Sequence, residues 1–295
     1  MIHVATVHYC DDQWIEPQLR FLRRFLPEDH RVYAVLNDID PRWQSELFFT
    51  SDMDGNHASK LNALAEVITD QADPDDLMLF VDGDAFPIAP IGAELLGGTP
   101  LAAVRRSENL GDQQPHPCFA LTTVGFWNEI GGDWSKGYRW TSSVGVSVTD
   151  VGGNLLGTLT ERDIPWRPLL RTNRVDLDPL WFGIYADVAY HHGAGFRNKV
   201  ARHVKVAGEA EVRAAAKVTR SPAWLPTLGR AERYSRAKIA KRRHLRRLAR
   251  SQRDGERLSA EVLESVRTDD EFYRRFLEAP SSAEASNPPS TGSDR

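Results

Sequence analysis

The stretch Leu77-Met78-Leu79-Phe80-Val81-Asp82-Gly83-Asp84-Ala85-Phe86 decides how this chain is read. Five apolar residues in a row, preceded by the polar turn Asp73–Asp76, predict a strand buried on both faces, as in the centre of an α/β sheet. Two carboxylates with a glycine between them follow at once. In open α/β sheets ligands bind outside the carboxyl ends of the strands. Two carboxylates there can ligate one hard divalent cation, Mg²⁺ or Mn²⁺, leaving other positions for substrate phosphates and water. The pattern Asp-x-Asp occurs five times, at 38/40, 52/54, 73/75, 82/84 and 176/178. Only Asp82/Asp84 directly follows an apolar strand; the other four sit in polar stretches where a solvated loop is the simpler reading.

The neighbouring patterns support the same architecture. Ile2–Tyr9 is rich in β-branched residues and predicts a first strand. Glu16–Leu26 places Leu19, Leu22 and Leu26 at helical spacing, with Pro17 suited to a first turn. Arg31–Leu36 predicts a second strand, Leu47–Thr50 a short third, and Ala58–Thr69 a helix with Leu61, Leu64, Ala65 and Ile68 on one face. Leu101–Val104 and Cys118–Thr122 continue the strands. Alternating strands and helices predict an α/β fold, a mostly parallel sheet flanked by helices, with a helical C-terminal extension. The expected division is a domain over residues 1–205, a basic helical extension over 206–279, and a disordered tail over 280–295 rich in Ser, Pro and Ala. Within the extension, residues 230–253 predict helix, and Thr268 with Glu271 predicts a capping box opening a last helix that carries Phe272, Tyr273, Phe276 and Leu277.

The 295 residues carry a net charge of −4, with 41% hydrophobic and 26% charged residues, which excludes fibrous and wholly disordered classes. No apolar run is long enough to cross a bilayer. The start, MIHVATVHYCDD, lacks a basic leader and reads as a strand. Two cysteines, Cys10 and Cys118, predict reduced thiols and a cytoplasmic setting, peripheral at the inner membrane face being one option. The mean charge hides a block. Residues 230–257 hold 12 Lys/Arg against 3 Asp/Glu, a local +9, while residues 1–229 sum to −9 and 258–295 to −4. An anionic membrane surface, an acidic partner and nucleic acid compete for that block. Nucleic acid is disfavoured, since no recognition motif is present and no aromatics interleave with the basic run Lys238–Arg250.

Two further constellations carry chemistry. Asn56-His57-Ala58-Ser59-Lys60-Leu61-Asn62 opens a helix, and a helix N-terminus with a lysine suits an anion; the alternative is a solvated Lys60 and a helix-face amide at Asn62. Tyr190-His191-His192-Gly193-Ala194-Gly195-Phe196-Arg197 offers imidazoles for a metal and, in Arg197, a planar fork for a diphosphate. Strand alternation would point His191 and His192 to opposite faces, so one of the two is expected to be a ligand.

In these pieces and their order, the strand IHVATVHY, the helix NHASKLNAL, the strand ending Asp82-Gly83-Asp84 and a late histidine at YHHG, the chain resembles the nucleotide-diphospho-sugar glycosyltransferases of the GT-A fold (Rossmann-like) over about residues 1–200. The resemblance implies a metal-dependent glycosyltransferase moving a sugar from a nucleoside-diphosphate-sugar donor to a carbohydrate or lipid-linked acceptor. It implies that Thr6, His8, Asn37 and Asp38 hold the nucleotide, that His57 and Lys60 lie near the diphosphate, and that Asp82, Asp84 and His191 or His192 hold Mn²⁺ or Mg²⁺. An inverting enzyme also needs a base: Asp150 is the first candidate, with helix capping as its alternative role, and Asp133 the second. Trp134 is the candidate for stacking on an acceptor sugar. A nucleotidyltransferase would carry a Gly-rich loop after the first strand, where this chain has Tyr9-Cys10-Asp11-Asp12-Gln13-Trp14. A non-catalytic sugar-nucleotide-binding or scaffold protein is the remaining alternative.

Overall fold

A computed structural model describes residues 1–175, 178, 181–193, 199–218 and 224–278. The chain divides into two compact units, Met1–Gly193 with the segment from Tyr273, and Ala194–Phe272.

The first unit is built on a seven-stranded sheet. Its strands are β1 (Ile2–Tyr9), β2 (His30–Asn37), β3 (Phe49–Ser51), β4 (Leu77–Asp82), β6 (Leu101–Val104), β7 (His116–Thr123) and β10 (Arg167–Leu169), in the order β10-β6-β7-β4-β1-β2-β3. All run parallel except β7, which pairs antiparallel with both β4 and β6. The sheet is covered on both faces, which is why β4 can be apolar on both. On one side α1 (Ile15–Phe25) packs Ile15, Leu19 and Leu22 against Val4, Val32, Leu79 and Val81. On the other, α2 (His57–Thr69), α3 (Val124–Ile130) and α4 (Gly153–Glu161) pack Leu61, Leu64, Trp127 and Leu155 against Ala5, Tyr33, Val35 and Phe80. The expected α/β architecture is what the chain adopts.

A second, antiparallel sheet of three short strands runs β11 (Gly183–Tyr185), β12 (Ala189–His191), β5 (Ala85–Pro87). Because β5 begins one residue after Asp84, the Asp82-Gly83-Asp84 turn is the corner where the chain leaves one sheet and enters the other. A hairpin of two-residue strands, β8 (Trp140–Thr141) and β9 (Ser147–Val148), lies between α3 and α4 in sequence.

The second unit contains α5 (Arg202–Ala215) and the 43-residue α6 (Pro226–Thr268). They meet at Gly208, where a Cβ would lie 1.8 Å from the His244 ring, so glycine alone lets that imidazole seat. Glu211 pairs with Arg247 at 2.6 Å across the two helices. The basic stretch is helical as expected, but the capping box is not formed. Thr268 still belongs to α6, its hydroxyl donating to Glu264 O at 2.8 Å. Asp269 instead accepts from Glu271 N, and the last helix, α7 (Arg274–Leu277), is one turn long. This helix belongs to the first unit, where its Phe276 stacks on Phe182 beside the small sheet. Residues 280–295, expected to be disordered, lie outside the described residues. Among the described residues no helix is long and apolar enough to cross a membrane.

Candidate functional site

Asp82 ends β4, and Asp84 follows after Gly83. The glycine is a packing requirement: a Cβ there would stand 2.7 Å from the backbone Val7 O, which cannot yield, and 2.9 Å from Nδ1 of the buried His8 ring. The turn is held from behind by Gln18 of α1. Its amide nitrogen donates to Asp82 O at 2.8 Å and Ala85 O at 2.7 Å, while its Oε1 faces the Thr6 hydroxyl at 3.2 Å and His8 Nε2 at 3.1 Å. Every polar atom of that buried side chain is therefore used. Gln18 is invisible as a site residue in the sequence except as one polar residue on the apolar face of an amphipathic helix.

The small sheet supplies the third group. β12 pairs with β5 so that His191 stands opposite Ala85, and His192 N donates to Asp84 O at 3.0 Å. His191 Nε2 then lies 3.3 Å from Asp84 Oδ1 and 3.5 Å from Asp82 Oδ2. His192 points elsewhere, its Nδ1 2.9 Å from the Tyr190 hydroxyl and its ring packed on Trp14 and Phe182. From the helical side, His57 Nε2 reaches Asp82 Oδ1 at 2.8 Å. Asp82 is thus bracketed by two imidazoles, one on each carboxylate oxygen.

The electrostatics follow from this enclosure. Burial opposes ionisation of Asp84, but the His191 charge and hydrogen bond outweigh it and hold the carboxyl down at about 2. Burial likewise opposes Asp82, and His57 with His191 brings it below the usual range. The same pairs act on the imidazoles. Burial favours their neutral forms, yet Asp82 raises His57, and the Cys118 and Asp84 fields lift His191 well above its ordinary value. Two ionised carboxylates and an imidazole offer ligand atoms that all lie within 4.8 Å of one another. Hard carboxylate oxygens with one imidazole nitrogen are a donor set that suits Mn²⁺ or Mg²⁺. The residues fit the expected metal.

The remaining expected residues fall into place unevenly. Thr6 and His8 are buried in the sheet and engaged with Gln18, so they brace the Asp82 turn and do not face a nucleotide. His8 is kept neutral, its pKa pushed down to about 4 by burial. Lys60 is buried, donates to Asn37 Oδ1 and lies 5.3 Å from the Tyr9 ring centre, so the solvated-lysine alternative falls. Asn37 in turn donates to Asp52 Oδ1 at 2.5 Å. Asp38 sits at the end of β2, accepting from the Cys10 thiol at 3.3 Å. Asn37, Asp38, Lys60 and Tyr9 therefore share the carboxyl edge of β1 and β2. Arg197 lies outside the described residues.

Of the two candidate bases, Asp133 is caged. Its Oδ1 accepts from Asn62 at 2.6 Å and Ser135 N at 2.8 Å, and its Oδ2 from Asn154 at 2.7 Å. Burial would raise its pKa, but those bonds bring it below the ordinary value, the wrong direction for a base. It anchors a loop. Asp150 is half-exposed, 3.4 Å from Lys136 Nζ. It does not cap α4 through its side chain, since the N-cap is Gly152 and the Asp150 carboxylate bonds Val151 N. Trp134 is fully buried against Phe80 and Trp127, so it is core and offers no face to an acceptor.

Besides Gln18, three residues near the site were not read as site residues from the sequence. Cys118 and His116 of β7 form, with Asp82, a second group of close donor atoms. The His116 Nδ1 accepts the Cys118 amide at 3.1 Å, which puts its proton on Nε2 when neutral and makes the ring a donor rather than a ligand there. Asp112 is buried 3.7 Å from Arg106, and burial outweighs that cation to raise its pKa to about 6.

No family model matches the chain, and no curated protein matches it. Among solved structures it is similar to the glycosyltransferase GlyE of Streptococcus pneumoniae TIGR4. The apo form aligns at 19% identity and TM-score 0.31, and a second GlyE structure at 20% and 0.32. Each match covers 43% of this chain and 35% of GlyE, so the chain spans about a third of that protein's length. A likeness of that size leaves the chemistry to be read from the residues themselves.

Proposed function

We propose that this protein is a metal-dependent glycosyltransferase of the GT-A type that uses a nucleoside-diphosphate-sugar donor. The observation that carries the reading is the convergence of His191 from the small sheet on Asp82 and Asp84 at the carboxyl end of a central strand. Asp82, Asp84 and His191 would hold Mn²⁺ or Mg²⁺, which as a Lewis acid neutralises charge building on a departing diphosphate.

The protein's own groups divide the remaining work. His57 fixes one oxygen of Asp82, leaving the other directed toward His191. Gln18 fixes the backbone on both sides of the turn, so both carboxylates are held without rearrangement. Lys60 sets a buried positive charge beside Asn37 and the exposed Tyr9, at the edge proposed for the nucleotide. Asp150 is the remaining base candidate for an inverting transfer, since the Asp133 carboxylate is occupied by amides.

The test is thermal unfolding with a panel of nucleoside diphosphates, with and without Mn²⁺. A ligand that binds only the folded chain raises the melting temperature. The expected result is a rise that needs both metal and nucleotide. If no nucleoside diphosphate moves the transition in the presence of Mn²⁺, the donor-site reading fails.

A further inference from the structure

The long helix α6 presents a face that the proposed transferase site does not use. Over residues 233–253 it carries ten Lys/Arg and no Asp or Glu. Four of its arginines have carboxylate partners: Arg236 with Glu232, Arg247 with Glu211, Arg250 with Asp254 and Arg257 with Glu261. Lys238, Arg242, Arg246 and Arg253 are exposed and, among the described residues, make no ion pair. Positive charge packed this densely without counter-charge repels itself, and a bound polyanion relieves that repulsion.

The uncharged residues on the same face identify the polyanion. Tyr234, Lys238, Arg242, Leu245 and Arg253 recur at spacings of three, four and eight, one side of a 3.6-residue helix, and Ile239 and Arg246 adjoin them. Tyr234 is 69% exposed, Ile239 53% and Leu245 52%. The buried residues Ala240 and His244 lie on the opposite side. Exposed aliphatic side chains flanked by unpaired cations, with a tyrosine at one end, match the boundary of a bilayer: cations at the phosphate level, apolar groups just below, an aromatic in the headgroup layer. Nucleic acid makes no use of the isoleucine and leucine, and an acidic protein surface would leave them against polar groups.

We propose that this face of α6 docks on a membrane surface rich in anionic phospholipid. Each Lys/Arg near such a surface adds to the attraction, which salt screens. The few apolar residues add a shallow insertion that needs no spanning helix, and the placement is independent of the metal site.

The experiment is co-flotation of the full-length chain with phosphatidylcholine vesicles, with and without phosphatidylglycerol, at low and high salt. Binding to the anionic vesicles alone, weakened by salt, is expected. The triple variant Lys238→Gln/Arg242→Gln/Arg246→Gln should bind on the order of a hundredfold more weakly. Ile239→Ser/Leu245→Ser should lose the part of the binding that survives high salt. All five positions are exposed, so unchanged circular dichroism and melting serve as the folding control. Equal binding to neutral vesicles, no binding to anionic ones, or binding to a single-stranded RNA without vesicle binding would each overturn the proposal.

Discussion

His191 Nε2 lies 3.3 Å from Asp84 Oδ1, and the pairing of β12 with β5 is what puts it there. Neither strand is longer than three residues, so a chemically demanding contact rests on a small sheet docked at the end of a large one. The contact also decides which of the two adjacent histidines serves the carboxylates.

Asp84→Asn keeps the shape of the turn and removes one charge. Mn²⁺ affinity should fall at least on the order of a hundredfold, more than the loss of an outer-shell partner causes. Isothermal calorimetry on the nucleotide-free protein checks this, and an unchanged affinity would remove Asp84 from the ligand set.

Stability should depend on pH in two opposed ways. His57 and His191 have folded pKa values above 6.5, so their contribution is fully present below pH 6.5 and is lost as pH rises through the folded values. Asp82 and Asp84 have folded values below 3.8, so theirs is present above that pH and is lost on acidification, for Asp84 down to about 2. The metal-free protein should therefore be most stable between 3.8 and 6.5 as far as these four groups decide it. A metal must displace the His191 proton, so the melting-temperature gain from Mn²⁺ should grow with pH. A gain that shrinks between pH 6 and 8 would contradict the assignment of His191.

Gly83→Ala forces a Cβ to 2.7 Å from Val7 O. Overpacking against backbone should cost about 2 kcal/mol and shift both carboxylates. Urea unfolding measures the first effect and Mn²⁺ titration the second; a variant with unaltered stability would show that the turn has slack.

Gln18→Leu leaves Thr6, His8 and two backbone carbonyls without their shared partner. The loss should be about 3 kcal/mol, since buried polar groups left unpaired carry their full desolvation cost. Metal affinity should fall with it, although Gln18 touches no proposed ligand side chain.

Trp134→Ala removes a fully buried ring from between Phe80 and Trp127. The expected effect is a stability loss of about 3 kcal/mol or more. A change in acceptor KM with unaltered melting would restore Trp134 as an acceptor platform.

Much of the fold was legible because its signals are local. Helical spacing at Leu19, Leu22 and Leu61, Leu64, and the unbroken apolar run before Asp82, need no knowledge of what lies across the sheet. The site was legible only in part. Asp82 and Asp84 are marked by their position after a buried strand, but Asp133 and Asp150 look alike in sequence, and only the amides of Asn62 and Asn154 show that one is caged. Trp134 could be read as platform or core until its neighbours were known.

By itself, then, the sequence determined the alternation of strand and helix, the carboxylates at the end of β4 and the basic run of α6, because periodicity and charge are properties of neighbouring residues. Tertiary structure alone decided that His191 rather than His192 meets the carboxylates, that Thr6 and His8 turn inward to Gln18, and that Gly83 has no room for a side chain. Those outcomes depend on strand pairing and register between distant segments, and a side chain's partner across a sheet is set by that register and not by its own surroundings in the chain.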